Sequence, residues 1–502
     1  MPEGNPSWSA RDAIHRGLAR LSAVERGPEI AVGLATLLVL FLGLYNLDGK
    51  SFSLDETTSY YVSGVSWQRL IEIAQGAESG WHSPIHSVAL KLWRYVFGDT
   101  QAALRGLSVL FAALSIPALY LVARQLTTVR VAVLAAVFLA VNPFLIHYAQ
   151  VSRTYALAML LTVVSYWLLL RALKHPSPAR WGLWTVASAL ALYAHLFFGL
   201  VLAAQALTVV LSGARGRSLL APLIAFAAVG VISIPVIVGG ALTSGGVVNW
   251  IPPIRWQSLT GLVRAWAGST PIAVAVYVAG AVIGMIWMAL QRPRWKWSPL
   301  LLLWLLLPPI ALAAVSLVKP VFVVRYLIIG LPAFVLIAAI GITSVRGWAS
   351  IALSALLIIG SGFGVAGWLS GPGPQWREAA EFLQAEGDGA DGVVFAGPTR
   401  APIAFQVSQL SSFESMPQQA FPPRAWGWNP YSASKPATVA RETLRQCGFG
   451  RIWAIARSRT TDRFGNAAVS RILAMAYERE RTVHIGAAYI HLMVRNDQAC
   501  PS

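Results

Sequence analysis

Two kinds of residue in this chain have the types and spacing to do chemistry: an adjacent carboxylate pair, Asp55-Glu56, and two arginines in apolar surroundings, Arg153 and Arg325. Asp55 and Glu56 lie in Ser53-Leu54-Asp55-Glu56-Thr57, a few residues past the first long apolar run and hence near a bilayer surface. An acid there can serve as a general base or meet a cation, and the plain alternative is a solvated acid or a helix cap. Arg153 follows His147-Tyr148-Ala149-Gln150-Val151-Ser152, and Arg325 stands inside the run that begins Pro320-Val321-Phe322. Charges so placed are costly and call for a partner. From residue 100 through 377, 278 residues hold 18 Lys plus Arg and no Asp or Glu. A counter-charge must therefore come from the first loop, from the tail or from a bound anion, and the guanidinium fork suits phosphate. The alternative for both arginines is snorkelling to lipid phosphates.

Elements of bilayer length must position these groups. Of 502 residues, 56% are hydrophobic and 12% charged, with a mean hydropathy of +0.59. This excludes a soluble enzyme, a coiled coil, a secreted disulfide scaffold and a disordered chain, and implies a polytopic α-helical membrane protein. Apolar stretches occur at about 30–47, 104–123, 131–147, 155–170, 183–196, 198–211, 219–239, 272–290, 300–318, 321–342 and 349–369, eleven in all. The net charge is +18, yet outside 100–377 the basic and acidic residues number 21 each. The excess thus lies in the apolar part, where it reads as topology markers and anion ligands, not as a nucleic-acid surface. With the N-terminus cytoplasmic, Arg11, Arg16, Arg20 and Arg26, then Arg124 and Arg130, then Arg171, Lys174 and Arg180, then Arg215 and Arg217, then Arg292, Arg294 and Lys296, and finally Arg346 share one side, as the positive-inside rule requires. No cleavable signal is evident. The organisation expected is a cytoplasmic arm (1–29), a transmembrane domain (30–370) with a first outer loop (48–103) and an outer flap (240–271), and a small extracytoplasmic α/β domain (371–502).

In that α/β tail, helices are expected at 376–385 and 437–446 and strands at 393–396, 451–456 and 488–494. Cys447 and Cys500, the only cysteines, can be bonded or free. In the first loop, His82 can orient a carboxylate, bind phosphate or simply sit at the interface, and the amphipathic segment 87–97 is too short to span and is expected to lie along the membrane. The flap carries Trp250, Pro252, Pro253, Trp256 and Trp266 around Arg255 and Arg264, a surface suited to sugar stacking or to an ordinary aromatic belt. No Walker loop, dinucleotide fingerprint or zinc-spaced cluster occurs.

The ordered set Leu54-Asp55-Glu56, His82-Ser83-Pro84, Phe97-Gly98-Asp99 through Leu104-Arg105, Asn142-Pro143-Phe144 through Gln150-x-x-Arg153-x-Tyr155, Tyr193-x-His195, and Arg325-Tyr326 followed by Pro332 resembles bacterial family 39-type glycosyltransferases of the GT-C superfamily. These are similar to protein O-mannosyltransferases and to the aminoarabinose transferase acting on lipid A. The resemblance covers roughly residues 45–385 and implies a multispan enzyme of the bacterial cytoplasmic membrane with a polyprenyl-phosphate sugar as donor. Its acceptor would be an envelope glycan, lipid or protein. It also implies Asp55 as base, with Glu56 beside it. Arg153, Arg325, His82 and Arg264 become candidates for the donor phosphate, and Tyr60, Tyr61, Tyr148, His195 and Trp250 for the substrate pocket. Ser83 stands where the family has a proline, and Val151 where it often has an acid, which removes one ligand of any metal site. No cofactor is expected to be required, with a divalent cation left open. A carboxylate at the membrane surface can deprotonate an acceptor hydroxyl as it attacks the anomeric carbon, while arginines meet the charge growing on the departing phosphate. The competing reading is a transporter or flippase of lipid-linked sugars, which would also need basic residues in an apolar bundle; the internal symmetry common in transporters is not seen.

Overall fold

The computed structural model describes residues 7–74, 83–212, 219–247, 251–291, 297–395, 399–410, 416–421, 448–456 and 467–496. Each of the eleven apolar stretches falls on helix. Among the described residues, seven helices are long and apolar enough to cross a bilayer: Arg26–Leu44, Gln101–Leu126, Tyr155–Lys174, Pro271–Leu290, Ser298–Ser316, Val324–Ser344 and Trp348–Ser370. Two bent pairs, Val129–Ala140 with Pro143–Ala149 (55°) and Leu220–Ile232 with Ile234–Gly240 (50°), raise the number to nine when each is read as one span. The stretches on either side of His195 form shorter helices, Pro178–Ala194 and Phe198–Leu211, of 17 and 14 residues. Leu34, Phe41, Leu183, Ile224, Leu290, Ile310 and Phe363 face outward. Helices apolar on every face belong in hydrocarbon, so this is a multi-pass membrane protein.

Local chemistry sets the breaks. The Asn142 side-chain oxygen accepts the backbone N–H groups of Phe144 and Leu145 at 3.0 and 3.3 Å. Pro143, the first residue of the next helix, has no N–H to satisfy, so Asn-Pro ends one helical axis and starts another. Glycines set the closest helix contact. A Cβ on Gly341 would fall 1.9 Å from the Gly280 carbonyl oxygen, and one on Gly284 2.2 Å from that of Ile337. Helices Pro271–Leu290 and Leu331–Ser344 therefore touch backbone to backbone, as small residues permit in membranes.

The chain packs as two compact units: a membrane unit, Met1–Tyr45 with Arg105–Leu369, and a loop–tail unit, Asn46–Leu104 with Ser370–Ser502. The second holds a five-stranded mixed sheet of order β2-β1-β3-β5-β4, with β1 Gly392–Phe395, β2 Gln418–Phe421, β3 Arg451–Ala456, β4 Tyr477–Ile485 and β5 Ala488–Arg495. β1 pairs in parallel with β2 and β3, and β5 runs antiparallel to β3 and β4. The expected helix at 376–385 and the expected strands at 393–396, 451–456 and 488–494 correspond to helix Trp376–Glu386 and to β1, β3 and β5. The helix expected at 437–446, Cys447 and Cys500 lie outside the described residues. The sequence reading missed β2, β4 and the helices Arg400–Ser408 and Ala467–Ala476. In β4 the run Glu478-Arg479-Glu480-Arg481 is exposed throughout, so the strand has no alternating apolar face there to betray it. It is an edge strand, where such charges deter further pairing.

The loop is sewn to the tail. Phe52 stacks on Phe405 with ring centroids 4.7 Å apart. Gln101 accepts the Phe52 N–H at 2.8 Å and the Gln406 amide at 3.2 Å, and Ser51 accepts the Arg377 N–H at 3.1 Å.

Candidate active site

In the loop–tail unit, Asp55 is the second residue of helix Leu54–Gly64. Ser53 caps that helix, and Ser53-Leu54-Asp55-Glu56 is a capping box written in sequence. The Ser53 backbone N–H and hydroxyl both donate to Glu56 Oε2, at 2.9 and 3.0 Å, and the Glu56 N–H returns a bond to Ser53 Oγ at 3.4 Å. Glu56 is buried and Asp55 half-buried. The two acids thus separate by environment: Glu56 closes the helix start, and the same turn presents Asp55.

The tyrosines behind them do packing work. Arg94 donates to the Tyr60 carbonyl at 2.8 Å and to Ser63 Oγ at 3.0 Å, and its guanidinium lies 4.4 Å from the Tyr60 ring centroid. The other side of Tyr60 meets Phe405 edge-on at 5.1 Å. Burial pushes the Tyr60 phenol above its ordinary pKa, with the Arg94 charge opposing. Tyr61 packs on the small cluster of Val62, Leu70 and Ile73. Both rings, expected in a sugar pocket, pack against the neighbours of the helix that carries Asp55. Helix Pro84–Phe97 buries His86, Ser87, Leu90 and Lys91 and exposes Leu92, Tyr95, Val96 and Phe97, an amphipathic arrangement.

In the membrane unit a second constellation forms where three helix ends meet. Arg153 occupies the link between Pro143–Ala149 and Tyr155–Lys174, His195 the break between the two short helices, and Arg325 the 3-10 helix Val324–Gly330. Thr154 Oγ1 donates to the Ala194 carbonyl at 2.8 Å, which ties the Arg153 link to the residue before His195. The 3-10 helix is fixed by the Trp304 indole N–H, which donates to Ile329 O at 2.8 Å, and by Gly330, where a Cβ would fall 2.7 Å from the Trp266 ring. His195 is buried. Both guanidinium charges act on its ring, so the three residues share one electrostatic neighbourhood. Aromatic rings enclose it: Tyr155 at 6.1 Å, Phe197 at 5.6 Å and Tyr326 at 5.4 Å, with Tyr326 also stacked on Phe197 and 5.6 Å from the Arg325 guanidinium. Tyr148 meets Tyr155 edge-on and, with Arg325, Ser258, Ile251, Pro252 and Phe322, lines a cavity of about 310 Å³. This cavity has apolar walls with a cationic end.

Of the residues expected at a site, Arg153, Arg325, His195 and Tyr148 converge. Arg264 is exposed on helix Trp256–Trp266 and does not line the cavity; the flap contributes Ile251, Pro252 and Ser258 instead, because the amphipathic helix turns its charge to the outside. His82 and Trp250 lie outside the described residues. The sequence reading passed over Phe197 and used Gln150 only as a motif position. The Gln150 amide donates to the carbonyls of Leu42, Gly43 and Tyr45 at 3.2, 3.3 and 2.8 Å, and its oxygen accepts the Trp368 indole at 2.9 Å. It thereby satisfies the open carbonyls that end the first span. Among the described residues, no three His, Cys, Asp or Glu side chains converge to hold a metal ion.

Residues 81–239 match the family model described as dolichyl-phosphate-mannose-protein mannosyltransferase. No curated protein sequence matches the chain. Among solved structures it is similar to ArnT from Cupriavidus metallidurans in the apo state, with a TM-score of 0.61, 13% identity, and coverage of 93% of this chain and 98% of that one. The same protein bound to undecaprenyl phosphate gives a TM-score of 0.57 at 13% identity, with 93% and 98% covered. Archaeal oligosaccharyltransferase AglB from Archaeoglobus fulgidus, in complex with an inhibitory peptide and a dolichol-phosphate, gives 0.56 at 12% identity, with 95% of this chain and 75% of that one covered. Over nearly its whole length the chain thus shares the fold of these solved structures, and residues 81–239, the segment holding Asn142, Arg153 and His195, match the mannosyltransferase family model.

Proposed function

We propose that this protein is an inverting glycosyltransferase that moves a hexose or pentose from a polyprenyl-phosphate donor to an acceptor hydroxyl. It works at the outer face of the bacterial cytoplasmic membrane, in assembly of an envelope glycan or glycolipid, with its N-terminus cytoplasmic and its tail extracytoplasmic. The observation that carries this reading is that the charges of Arg153 and Arg325 both act on buried His195, in a stretch of 278 residues without one Asp or Glu. Such a cluster has no acidic side chain of its own stretch to bind and suits a phosphate. The solved relatives with undecaprenyl phosphate and dolichol-phosphate bound support the same donor chemistry.

Asp55 is the proposed base. It takes the acceptor hydroxyl proton as that oxygen bonds to the anomeric carbon. The carbon–oxygen bond to phosphate breaks, and its electron pair leaves with the phosphate, whose growing charge the two arginines stabilise. Backside displacement inverts the anomeric centre. The arginines meet that charge without a metal, so activity that survives exhaustive chelation is the expected result.

The test is purified protein in liposomes with a polyprenyl-phosphate sugar and a panel of acceptors. Release of free polyprenyl phosphate, lost in Asp55→Asn, supports the transferase. Movement of intact sugar lipid between leaflets without release supports a flippase and overturns it.

A further inference from the structure

We propose that His195 is the third ligand of the phosphate held by Arg153 and Arg325, an uncharged hydrogen-bond donor acting through Nδ1–H. The proposal rests on the donor-phosphate reading above and gives a task to a buried polar group at the cluster. His195 is 5% exposed, and its Nδ1 is buried with no hydrogen-bond partner. A buried polar atom left unmade costs about 1–3 kcal/mol, so such an atom at a cationic cluster calls for a ligand.

The surroundings decide what kind. Rings of Tyr155, Phe197 and Tyr326 wall the imidazole, and the charged groups acting on it are two guanidiniums, which only donate hydrogen bonds. A nitrogen carrying a proton needs an acceptor, and a phosphate oxygen gathered by the arginines supplies one. An uncharged donor also fits the charge balance. A sugar phosphodiester carries one negative charge and the departing phosphate monoester up to two, which two arginines already match. A third cation would hold the product too firmly to release it. His195 gains and loses no proton in the reaction.

The experiment measures binding of undecaprenyl phosphate, with undecaprenol as the phosphate-free control, to the full-length protein in nanodiscs. Three forms are compared: wild type, His195→Asn, whose amide sits near the Nδ1 position, and His195→Phe, which keeps the ring volume and removes the donor. Wild type should prefer the phosphate. His195→Phe should lose roughly ten-fold of that preference, as expected for a hydrogen bond to a charged group, and His195→Asn should stay within about three-fold of wild type. A purely structural histidine would change both lipids together. Full phosphate preference in His195→Phe, or equal losses in the two variants, would overturn the assignment. Absence of any phosphate preference in wild type would instead sink the donor reading itself.

Discussion

The turn bearing Asp55 and the cluster around His195 are built in opposite ways. Four consecutive residues make the first: Ser53 and Glu56 lock the helix start, and the acid between them is presented by that local geometry. The second draws Arg153, His195 and Arg325 from positions 42 and 130 residues apart in sequence, and it exists only because helix ends meet. A base can be set by neighbours in the chain. A cluster of like charges cannot, because the repulsion between them must be overcome by the packing around them.

The sharpest way to break this comparison is Asp55→Asn. It should lower turnover by about 10³-fold or more while donor binding persists, since general-base contributions reach that size. Retained turnover in a radiolabelled transfer assay would remove the base. Next in size, Arg325→Ala should weaken donor affinity and slow chemistry by about 10²-fold, the scale of losing one charge-stabilising donor. Kinetics equal to wild type would return the residue to lipid anchoring.

Stability separates the two regions further. Burial raises the Asp391 carboxyl, but the hydrogen bonds from Arg451, Trp453 and the Asp388 backbone outweigh it and hold the group below its usual range. Arg451 bonds both its oxygens, at 3.0 and 2.6 Å, and the Trp453 indole N–H adds a third bond at 2.9 Å. Its stabilisation is therefore complete above the unfolded carboxylate pKa, about 4, and is lost as pH falls through the lower folded value. Asp391→Ala should cost the tail about 2 kcal/mol at neutral pH, read by hydrogen exchange on β1 and β3, and should flatten the acid limb of unfolding. The smallest effect concerns Glu56. Gln also serves in a capping box, so Glu56→Gln should keep activity within a few-fold, whereas Glu56→Ala should cost about 1 kcal/mol of local stability. A Glu56→Gln variant as inactive as Asp55→Asn would make the second acid catalytic.

Sequence by itself determined the membrane class, the helical stretches, the Asp-Glu motif and three of the five strands, because each depends on residues adjacent or periodic along the chain: apolar length, a Ser-x-x-Glu box, an alternating run. It also flagged Arg153 and Arg325 as charges set in apolar surroundings. Only the tertiary structure decided that these two share His195, that Tyr60 and Tyr61 pack against the neighbours of the Asp55 helix, that Gln150 ends the first span and that the first loop packs with the tail through Phe52 and Phe405. Contacts of that kind are chosen by shape and by the need to satisfy buried polar groups among residues far apart in the chain, and no local pattern encodes such a choice.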